Sequence, residues 1–353
     1  MIWVIAIPVI IYIVFIVFLI AAPVKKVDNG KKQTPFALII PFKEFSGSLL
    51  GIIKIINSYS SSNSFQVILV NDYASKEDLI KIQQVLHDYT DERVTLLSNT
   101  SQKGKKTAIE TGVNYSEFDK IVTLDSDCEI TVDWLEEIFF LSVNSQLNVG
   151  VVEYKRSGNW IAVIQYFESI MLNLITVKTV ELQKPVLASG ANICYSKKTF
   201  LEGNPYANNK HIPSGDDMFL LGSFSKLNLN YNQIRNSVIT DSKESLKDWL
   251  AQHIRWASKT TKVGLPLLSV IGGIVFLAQL ASIFSILYFL LTGSLIFLLI
   301  LTTKWLAEIL AILFSKNQIK RYYLLLYSPL VSLIYPFLML IIFIGTFLKG
   351  KDW

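Results

Sequence analysis

Cysteine is scarce in this chain, and its scarcity excludes a fold held together by disulfides. Cys128 and Cys194 are the only two cysteines among 353 residues. They suit a reducing compartment, and their separation matches no known metal-ligand spacing. Cys128 directly follows Asp127, but a small, buried, apolar role is the simpler interpretation of this thiol.

Charge is missing from three long stretches, although the chain as a whole carries +5 at neutral pH. Residues 2–22, 264–303 and 322–348 contain no charged side chain. A helix rising about 1.5 Å per residue crosses the hydrocarbon core of about 30 Å in about 20 residues, so the middle stretch has length for two spans. We therefore predict one N-terminal and three C-terminal transmembrane helices, with a turn at residues 292–294.

The first apolar stretch also lacks the features of a cleaved signal peptide. No basic region precedes it, and no small-x-small cleavage site follows it before Pro23. We interpret it as a permanent anchor. The overall hydrophobic content of 51% and mean hydropathy of +0.42 agree with an integral membrane protein.

Residues 304–321 interrupt the apolar C-terminal region, because Lys304 and Glu308 lie there. One interpretation is a polar pair inside a longer third span, and the other is an amphipathic helix at the membrane interface. We expect the interfacial helix, since charge at the bilayer centre is costly and Trp305 suits the headgroup region.

Basic residues gather on one side of the predicted spans, which orients the protein. The cytoplasmic side carries the excess of Lys and Arg, so the middle domain is expected in the cytoplasm, and a bacterial inner membrane is the expected location. The net charge is modest and lies near the membrane, which favours anionic lipid over nucleic acid as a partner. The flanking residues are Lys25, Lys26, Lys31, Lys32, Lys259, Lys262, Lys316, Lys320 and Arg321, with Lys349 and Lys351 as exceptions.

The predicted domains are an anchor at residues 1–24, a cytosolic domain at 32–262 and a transmembrane region at 263–348. Within the middle domain, short β-rich apolar runs alternate with helical patterns, which is typical of an α/β fold with a mostly parallel sheet flanked by helices. The predicted strands are 36–40, 65–70, 94–97, 121–124 and 149–154, the predicted helices include 48–59, 76–89 and 161–177, and 203–214 is predicted as a loop.

Carboxylates follow two of these strands, at the sheet edge where ligands bind in such folds. Asp125 and Asp127 end the fourth strand and offer the oxygen ligands that Mg or Mn prefers. Alternatively, Asp127 caps the helix predicted at 134–141. Asp72 ends the second strand, where it either accepts a hydrogen bond from a nucleobase or forms an Asx turn.

Two further groups of residues have the chemistry of a transferase site. Lys105 opens a predicted helix after Gly104, where a cation and a helix N-terminus can bind phosphate, although a solvated basic helix start fits equally. Asp216 and Asp217 precede an apolar helix, so one carboxylate could act as a general base, and a double N-cap is the alternative.

Gln252, Arg255 and Trp256 lie at positions i, i+3 and i+4 of a helix predicted at 243–259, which places them on one face. Gln and Arg can bind diphosphate oxygens, and the indole can pack against a sugar. A plain amphipathic helix along the membrane is the alternative. His253 lies on another face, and we expect it to pack or to face solvent.

These motifs occur in the order of the D, DxD, (T/G)(E/D)D and QxxRW pattern of membrane-bound family 2 glycosyltransferases. The chain resembles the branch that includes hyaluronan, cellulose and poly-N-acetylglucosamine synthases and ceramide glucosyltransferase. The segment from Gly190 to Lys197 also resembles the family's acceptor-lining segment. The resemblance implies a GT-A fold and an inverting transfer from a UDP- or GDP-linked sugar with Mg or Mn.

The resemblance also assigns roles to individual residues. It implies nucleotide-sugar binding, metal binding, base catalysis and acceptor binding by side chains from all four motifs. The nucleotide sugar would contact Asp72, Asp125, Lys105, Gln252 and Arg255, the metal would be held by Asp127 and Asp125, catalysis would use Asp217 with Asp216, and the acceptor would border Trp256 and Asn192.

Departures from the family pattern shape the expected reaction. Asn71 and Asp72 replace the commoner Asp-Asp pair, and about four spans are few for a polymer channel. We therefore expect addition of one sugar to a lipid-linked or membrane-associated acceptor, with processive polysaccharide synthesis as the alternative. A transporter with a cytosolic domain is disfavoured, because the spans carry few polar groups and no inverted repeat.

Overall fold

The computed structural model describes residues 2–23, 32–59, 64–89, 91–99, 102–144, 146–155, 158–315 and 322–348. The chain divides into two compact units. The first, here called the apolar unit, comprises Met1–Val24, Arg156–Lys178 and Ser242–Trp353. The second, here called the sheet unit, comprises Lys25–Lys155 and Thr179–Asp241.

The secondary structure alternates in the first half of the chain and is mainly helical at both ends. The strands are β1 Phe36–Phe42, β2 Phe65–Asn71, β3 Val94–Ser98, β4 Lys120–Thr123, β5 Cys128–Glu129, β6 Gln146–Val149, β7 Val152–Tyr154, β8 Ile193–Ser196, β9 Asn230–Gln233 and β10 Val238–Thr240. The helices are α1 Ile2–Ala21, α2 Gly47–Ser58, α3 Lys76–Asp88, α4 Lys105–Tyr115, α5 Val132–Phe140, α6 Trp160–Glu181, α7 Lys197–Gly203, α8 Asp216–Phe224, α9 Leu246–Ala257, α10 Pro266–Thr292, α11 Leu295–Phe314 and α12 Ser328–Leu348, with 3₁₀ turns at Thr260–Lys262 and Tyr322–Tyr327.

The sheet unit contains a seven-stranded sheet of order β3-β2-β1-β4-β8-β6-β9 and a three-stranded sheet of order β5-β10-β7. The first four strands of the large sheet run parallel, and β8 is antiparallel to both of its neighbours. The chain builds β2 and β3 on one side of β1 and then places β4 on the other side. A crevice opens beyond the strand ends at such a switch point. The predicted α/β fold is thus confirmed.

The strands of the large sheet are apolar because helices cover both of its faces. Every residue of β1 is buried, as expected for a central parallel strand. Phe36 of β1 packs against Phe65 and Phe139, with ring centroids 5.4 Å and 4.9 Å away. Packing of this kind holds the strand ends, and the polar residues that follow them, in fixed positions.

Lys120 is an exception to the apolar interior, since it is only 3% exposed. Its ammonium donates hydrogen bonds to the carbonyls of Ile138, Phe139 and Leu141, at 2.8, 3.0 and 3.0 Å. These carbonyls lie at the end of α5, where the helix leaves its own acceptors without partners. Burial lowers the pKa of Lys120 to about 8.

The strand predicted at residues 149–154 is wrong in one respect, because it is two strands in two sheets. The break falls after β6, at Gly150, whose amide donates to the carbonyl of Asn192 at 2.7 Å. A Cβ at Gly150 would lie 2.1 Å from the Asn192 side chain. The close approach ends β6, and the chain re-pairs as β7 beside β10.

Five helices are long and apolar enough to cross a membrane, namely α1, α6, α10, α11 and α12. They indicate membrane association. The turn predicted at 292–294 is confirmed, since Gly293 ends α10 with a φ of 64°. The helix predicted at 161–177 is also present, as α6, although the sequence had not marked it as apolar enough to span. Most of the basic residues used to orient the protein lie outside the described residues.

The interfacial helix expected from residue 304 onward is wrong, because Lys304 and Glu308 lie inside α11. Their side chains form an ion pair of 2.7 Å, and the hydroxyl of Ser332 donates to Glu308 at 2.8 Å. Pairing within one helix compensates both charges, so the cost that favoured an interface does not apply. Residues 316–321 lie outside the described part of the chain.

Candidate functional site

Asp72 lies at the end of β2 and organises the loop that precedes α4. It is 1% exposed, and its Oδ1 accepts hydrogen bonds from the Gly104 amide at 2.7 Å and from Asn99 Nδ2 at 3.2 Å. The ammonium of Lys43 lies 3.6 Å from Oδ2. The Asx turn considered for Asp72 belongs instead to Asn71, whose Oδ1 accepts from the Ala74 amide at 2.8 Å.

Lys105 lies at the centre of an acidic cluster at the start of α4. Gly104 precedes it with a φ of 146°, a conformation that favours glycine. The Lys105 ammonium lies 2.6 Å from Asp125 Oδ1 and 3.0 Å from Asp216 Oδ2. Burial opposes its charge, but the two carboxylates hold the pKa of Lys105 well above its ordinary value. A merely solvated helix start is therefore excluded for Lys105.

Lys106, the next residue, fastens the loop that follows α7. Its ammonium donates to the carbonyls of Asn209 and Ile212 at 2.8 and 3.1 Å, and lies 4.1 Å from the ring centroid of Phe219. The loop predicted at 203–214 is thus present after Gly203, and it is tied to α4.

Asp216 and Asp217 form the first turn of α8, and neither is its N-cap. The N-cap is Gly215, which makes no side-chain cap, so the double N-cap is wrong. Asp217 accepts hydrogen bonds from the Met218 amide at 2.7 Å and the Gly190 amide at 3.4 Å. Burial, and then the charge of Asp216, raise the pKa of Asp217 to about 6. Two backbone donors therefore orient a carboxylate whose basicity suits neutral pH.

Gly190 is a site residue to which the sequence gave no individual role. A Cβ at this position would lie 2.6 Å from Asp216 Oδ2 and 3.2 Å from the Lys105 ammonium. Glycine is needed here because the chain passes directly against the cluster. Its position just before Asn192, in the segment between α6 and β8, was the available signal.

Asp125 and Asp127 fit the coordination of a hard divalent cation. Asp127 is exposed, and α5 is capped by Thr131, whose Oγ1 accepts from the Trp134 amide at 3.1 Å, so the capping role considered for Asp127 is wrong. Within the described residues, no group of three or more His, Cys, Asp or Glu side chains could hold a metal ion. Mg or Mn there would take further ligands from phosphate and water, as these cations ordinarily do.

Asn192 has a structural role in this conformation. It is 0% exposed, its Oδ1 accepts from Trp134 Nε1 at 3.0 Å, and its Nδ2 donates to the carbonyls of Val151 and Asn236 at 3.1 and 3.2 Å. Both ends of the carboxamide are engaged. The acceptor contact expected of Asn192 is therefore contradicted by its burial.

The face predicted for Gln252, Arg255 and Trp256 is present on α9, in the apolar unit. Trp256 is 42% exposed, and Gln252 and Arg255 are partly exposed. Within the described residues, the Gln252 carboxamide oxygen has no hydrogen-bond partner. The face thus offers a ring, a guanidinium and an open acceptor.

His253 packs behind this face, as expected, and is held by Glu168 of α6. His253 Nε2 lies 2.9 Å from Glu168 Oε2, and Tyr335 donates to Oε1 at 2.8 Å. The His253 ring lies between Trp249 and Trp256, with centroids 4.1 and 4.9 Å away. Burial opposes protonation, but Glu168 raises the pKa of His253 above its ordinary value. Glu168, which no motif indicated, fixes the orientation of α9 side chains.

We expect Glu168→Gln to lower turnover by roughly tenfold to 100-fold, because small displacements of positioning groups have effects of this size. Loss of the carboxylate charge would release His253 and loosen Trp256. Steady-state kinetics with varied acceptor should show the effect, while donor affinity stays unchanged. Glu244→Gln, an exposed carboxylate of the same unit, is the control. Equal kinetics for both variants would contradict the positioning role.

Taken together, the fold and the cluster define a class of protein. An α/β sheet with carboxylates and a lysine at its switch point is suited to hold a nucleotide and a divalent cation. Residues 38–197 match the family model described as Glycosyl transferase family 2. This region of the chain is a family 2 glycosyltransferase domain, and the protein is a nucleotide-sugar-dependent glycosyltransferase.

Solved structures show the same fold. The mannosyltransferase PcManGT from Pyrobaculum calidifontis, in complex with GDP-Man and Mn²⁺, is 14% identical, with a TM-score of 0.62 over 100% of this chain and 99% of that chain. GalNAc-T7 with UDP, GalNAc and Mn²⁺ is 14% identical, with a TM-score of 0.46 over 65% of this chain and 51% of that one. Glucosyl-3-phosphoglycerate synthase from Mycobacterium tuberculosis, with Mn²⁺, UDP and phosphoglyceric acid, is 14% identical, with a TM-score of 0.42 over 68% and 79%. A comparison with curated protein sequences gave no significant match.

Proposed function

We propose that the protein transfers a sugar, with inversion, from a UDP- or GDP-linked donor to a hydroxyl of a lipid-linked or membrane-associated acceptor. The observation that carries the proposal is the cluster of Lys105, Asp125, Asp216 and Asp217 at the switch point of the sheet. A structural relative that binds GDP-Man and Mn²⁺ supports the donor class. Five long apolar helices support an acceptor in the membrane.

Donor binding is assigned to residues at the strand ends and on α9. Asp72 holds the base, Lys105 and Asp125 face the diphosphate sugar, and Gln252 with Arg255 steadies the diphosphate. Asp72 uses one oxygen on Gly104 and Asn99, which leaves Oδ2, near Lys43, for the base. An acceptor-only carboxylate suits the imide or amide N–H of uracil or guanine.

Asp217 is assigned as the general base, and Asp216 as the partner of Lys105. As the acceptor oxygen attacks the anomeric carbon, its proton passes to a carboxylate oxygen of Asp217, and the nucleoside diphosphate leaves with the bonding electrons. Asp216 is the poorer base because its Oδ2 already faces the Lys105 ammonium at 3.0 Å. Trp256 borders the acceptor.

Asp125 and Asp127 would hold Mg or Mn, as their oxygen chemistry fits. When bound, the cation supplies Lewis-acid stabilisation of the departing diphosphate. Lys105 contributes positive charge to the same region. The three carboxylates Asp125, Asp216 and Asp217 exceed the one ammonium by two negative charges, 3 − 1, which a divalent cation would balance.

We further propose that the protein is an integral protein of a bacterial inner membrane with its catalytic domain in the cytoplasm. The proposed boundaries are 1–24, 32–262 and 263–348. Protease protection of inverted and right-side-out vesicles would test this orientation.

Donor consumption tests the function directly. Purified protein is incubated with labelled UDP- and GDP-sugars, with Mn or Mg, and with a membrane lipid extract. Label should enter the lipid fraction as single sugars from one donor. Long products on a gel would favour a processive synthase, and absence of transfer with every donor would contradict the proposal.

We expect turnover to fall as pH drops through about 6, because Asp217 must be ionised to accept a proton and its pKa is raised to about 6. Activity should be full well above this pH and fall about tenfold per unit well below it, as for loss of one proton acceptor. A pH-rate profile under saturating donor would measure this limb. A limb near pH 4 would contradict the raised pKa.

A further inference from the structure

The apolar unit contains a cavity of about 140 Å³ among α1, α6, α10, α11 and α12. Its walls are mostly aliphatic and aromatic side chains, including Ile16, Phe167 and Ile175. Phe15 and Ile309, which also line it, are partly exposed on helices apolar enough to face lipid. The surroundings of the cavity therefore favour a lipid as its ligand.

One polar side chain in this cavity has no partner. Gln279 of α10 is 3% exposed, and its carboxamide oxygen makes no hydrogen bond with any described residue. Buried polar atoms are ordinarily hydrogen-bonded, and leaving one without a partner destabilises the fold. A cavity ligand that donates a hydrogen bond would remove this cost.

The other polar groups of the cavity select against an anionic ligand. Glu168 and Glu308 are part of its wall, and the described residues that line it include no lysine, arginine or histidine. The charges of these carboxylates are met from behind, by His253 and Lys304. A phosphate group would meet two carboxylates and no cation, whereas an uncharged hydroxyl would not be repelled.

We propose that this cavity binds the free hydroxyl of an uncharged lipid, of the diacylglycerol type, with Gln279 as its hydrogen-bond partner. A hydroxyl both donates and accepts, so it satisfies either end of the carboxamide. The cavity volume is close to that of apolar protein cavities known to hold a benzene-sized group, which suits a glycerol end with its first methylenes. The site does not depend on the glycosyltransferase activity proposed above.

Native mass spectrometry of the delipidated full-length protein tests the site with three probes. These are dioleoylglycerol, its 3-acetyl ester, which lacks the hydroxyl, and dioleoyl phosphatidic acid, which is anionic. Dioleoylglycerol should bind about fivefold to tenfold more tightly than the ester, the ratio expected for one hydrogen bond. Phosphatidic acid should bind more weakly than dioleoylglycerol.

Two variants and a control complete the test. Gln279→Leu should abolish the preference for dioleoylglycerol over the ester while raising Tm, because a partnerless buried carboxamide is removed. Ile175→Phe should reduce binding by filling the cavity. Leu277→Ala, on the exposed side of α10, should leave binding unchanged. Equal binding of all three probes, retained preference in Gln279→Leu, or water as the only occupant would overturn the proposal.

Discussion

Asp217→Asn should reduce sugar transfer by about 10³-fold, which is within the range for loss of a general base. The amide keeps the shape of the carboxylate and can still accept from the Met218 and Gly190 amides, so the local structure should persist. Donor affinity should change little. Transfer rate and donor Kd, measured on the same preparation, separate these two effects.

The same variant should be more stable than the parent protein at neutral pH. Because the pKa of Asp217 is raised to about 6, the folded state holds its proton more tightly than the unfolded state does, and stability from this group falls as pH rises through about 4 to 6. Asn removes that cost, so Tm should rise at pH 7.5 but not at pH 4. Asp88→Asn, an exposed carboxylate, is the control. Wild-type transfer by Asp217→Asn would contradict the assignment of the base.

The fold was predictable because its strands carry their own signal. A parallel strand buried on both faces, such as β1, needs a continuous apolar run, and the polar residue that ends the run marks the strand end. Asp72 and Asp125 were found in this way. The chain order of the strands then placed both at one edge of the sheet.

The centre of the site was less predictable, because its contacts join distant segments. The sequence gave Lys105 only a supporting part, since nothing local shows that it will meet Asp125 and Asp216, 20 and 111 residues further along the chain. Asn192 was misassigned for the same reason, because its partner Trp134 lies 58 residues away. Local pattern reports which face a side chain uses, and tertiary contact decides what it meets.

Lys304 and Glu308 show a similar limit in the apolar unit. The cost of each charge taken alone favoured the membrane interface, yet the two residues are spaced i, i+4 and pair with each other. Tyr12 and Ser332, from two other helices, add hydrogen bonds to Glu308 at 3.4 and 2.8 Å. A charge pair completed by distant helices can therefore lie inside a long apolar helix.

Lys105→Met should reduce turnover by about 10²-fold and also destabilise the sheet unit, because the cluster loses its cation. Burial already raises the pKa of Asp125, and Lys105 opposes that effect. Without the ammonium, three neighbouring carboxylates repel one another at neutral pH. We expect a loss of about 2 kcal/mol, less than for a fully buried pair because the Lys105 side chain is 28% exposed.

The destabilisation should depend on pH in a direction that identifies its cause. The folded-state pKa values of the carboxylates rise further without Lys105, so stability is lost as pH increases and is regained as pH falls and they take up protons. Tm of Lys105→Met should therefore approach the parent value at pH 5.5 and diverge from it at pH 8. Lys105→Arg keeps the charge and should restore most of the stability at pH 8, and Lys198→Met removes an exposed charge as a control. A loss of Tm that is the same at both pH values would mean that Lys105 acts through packing, and that the acidic cluster does not need its charge.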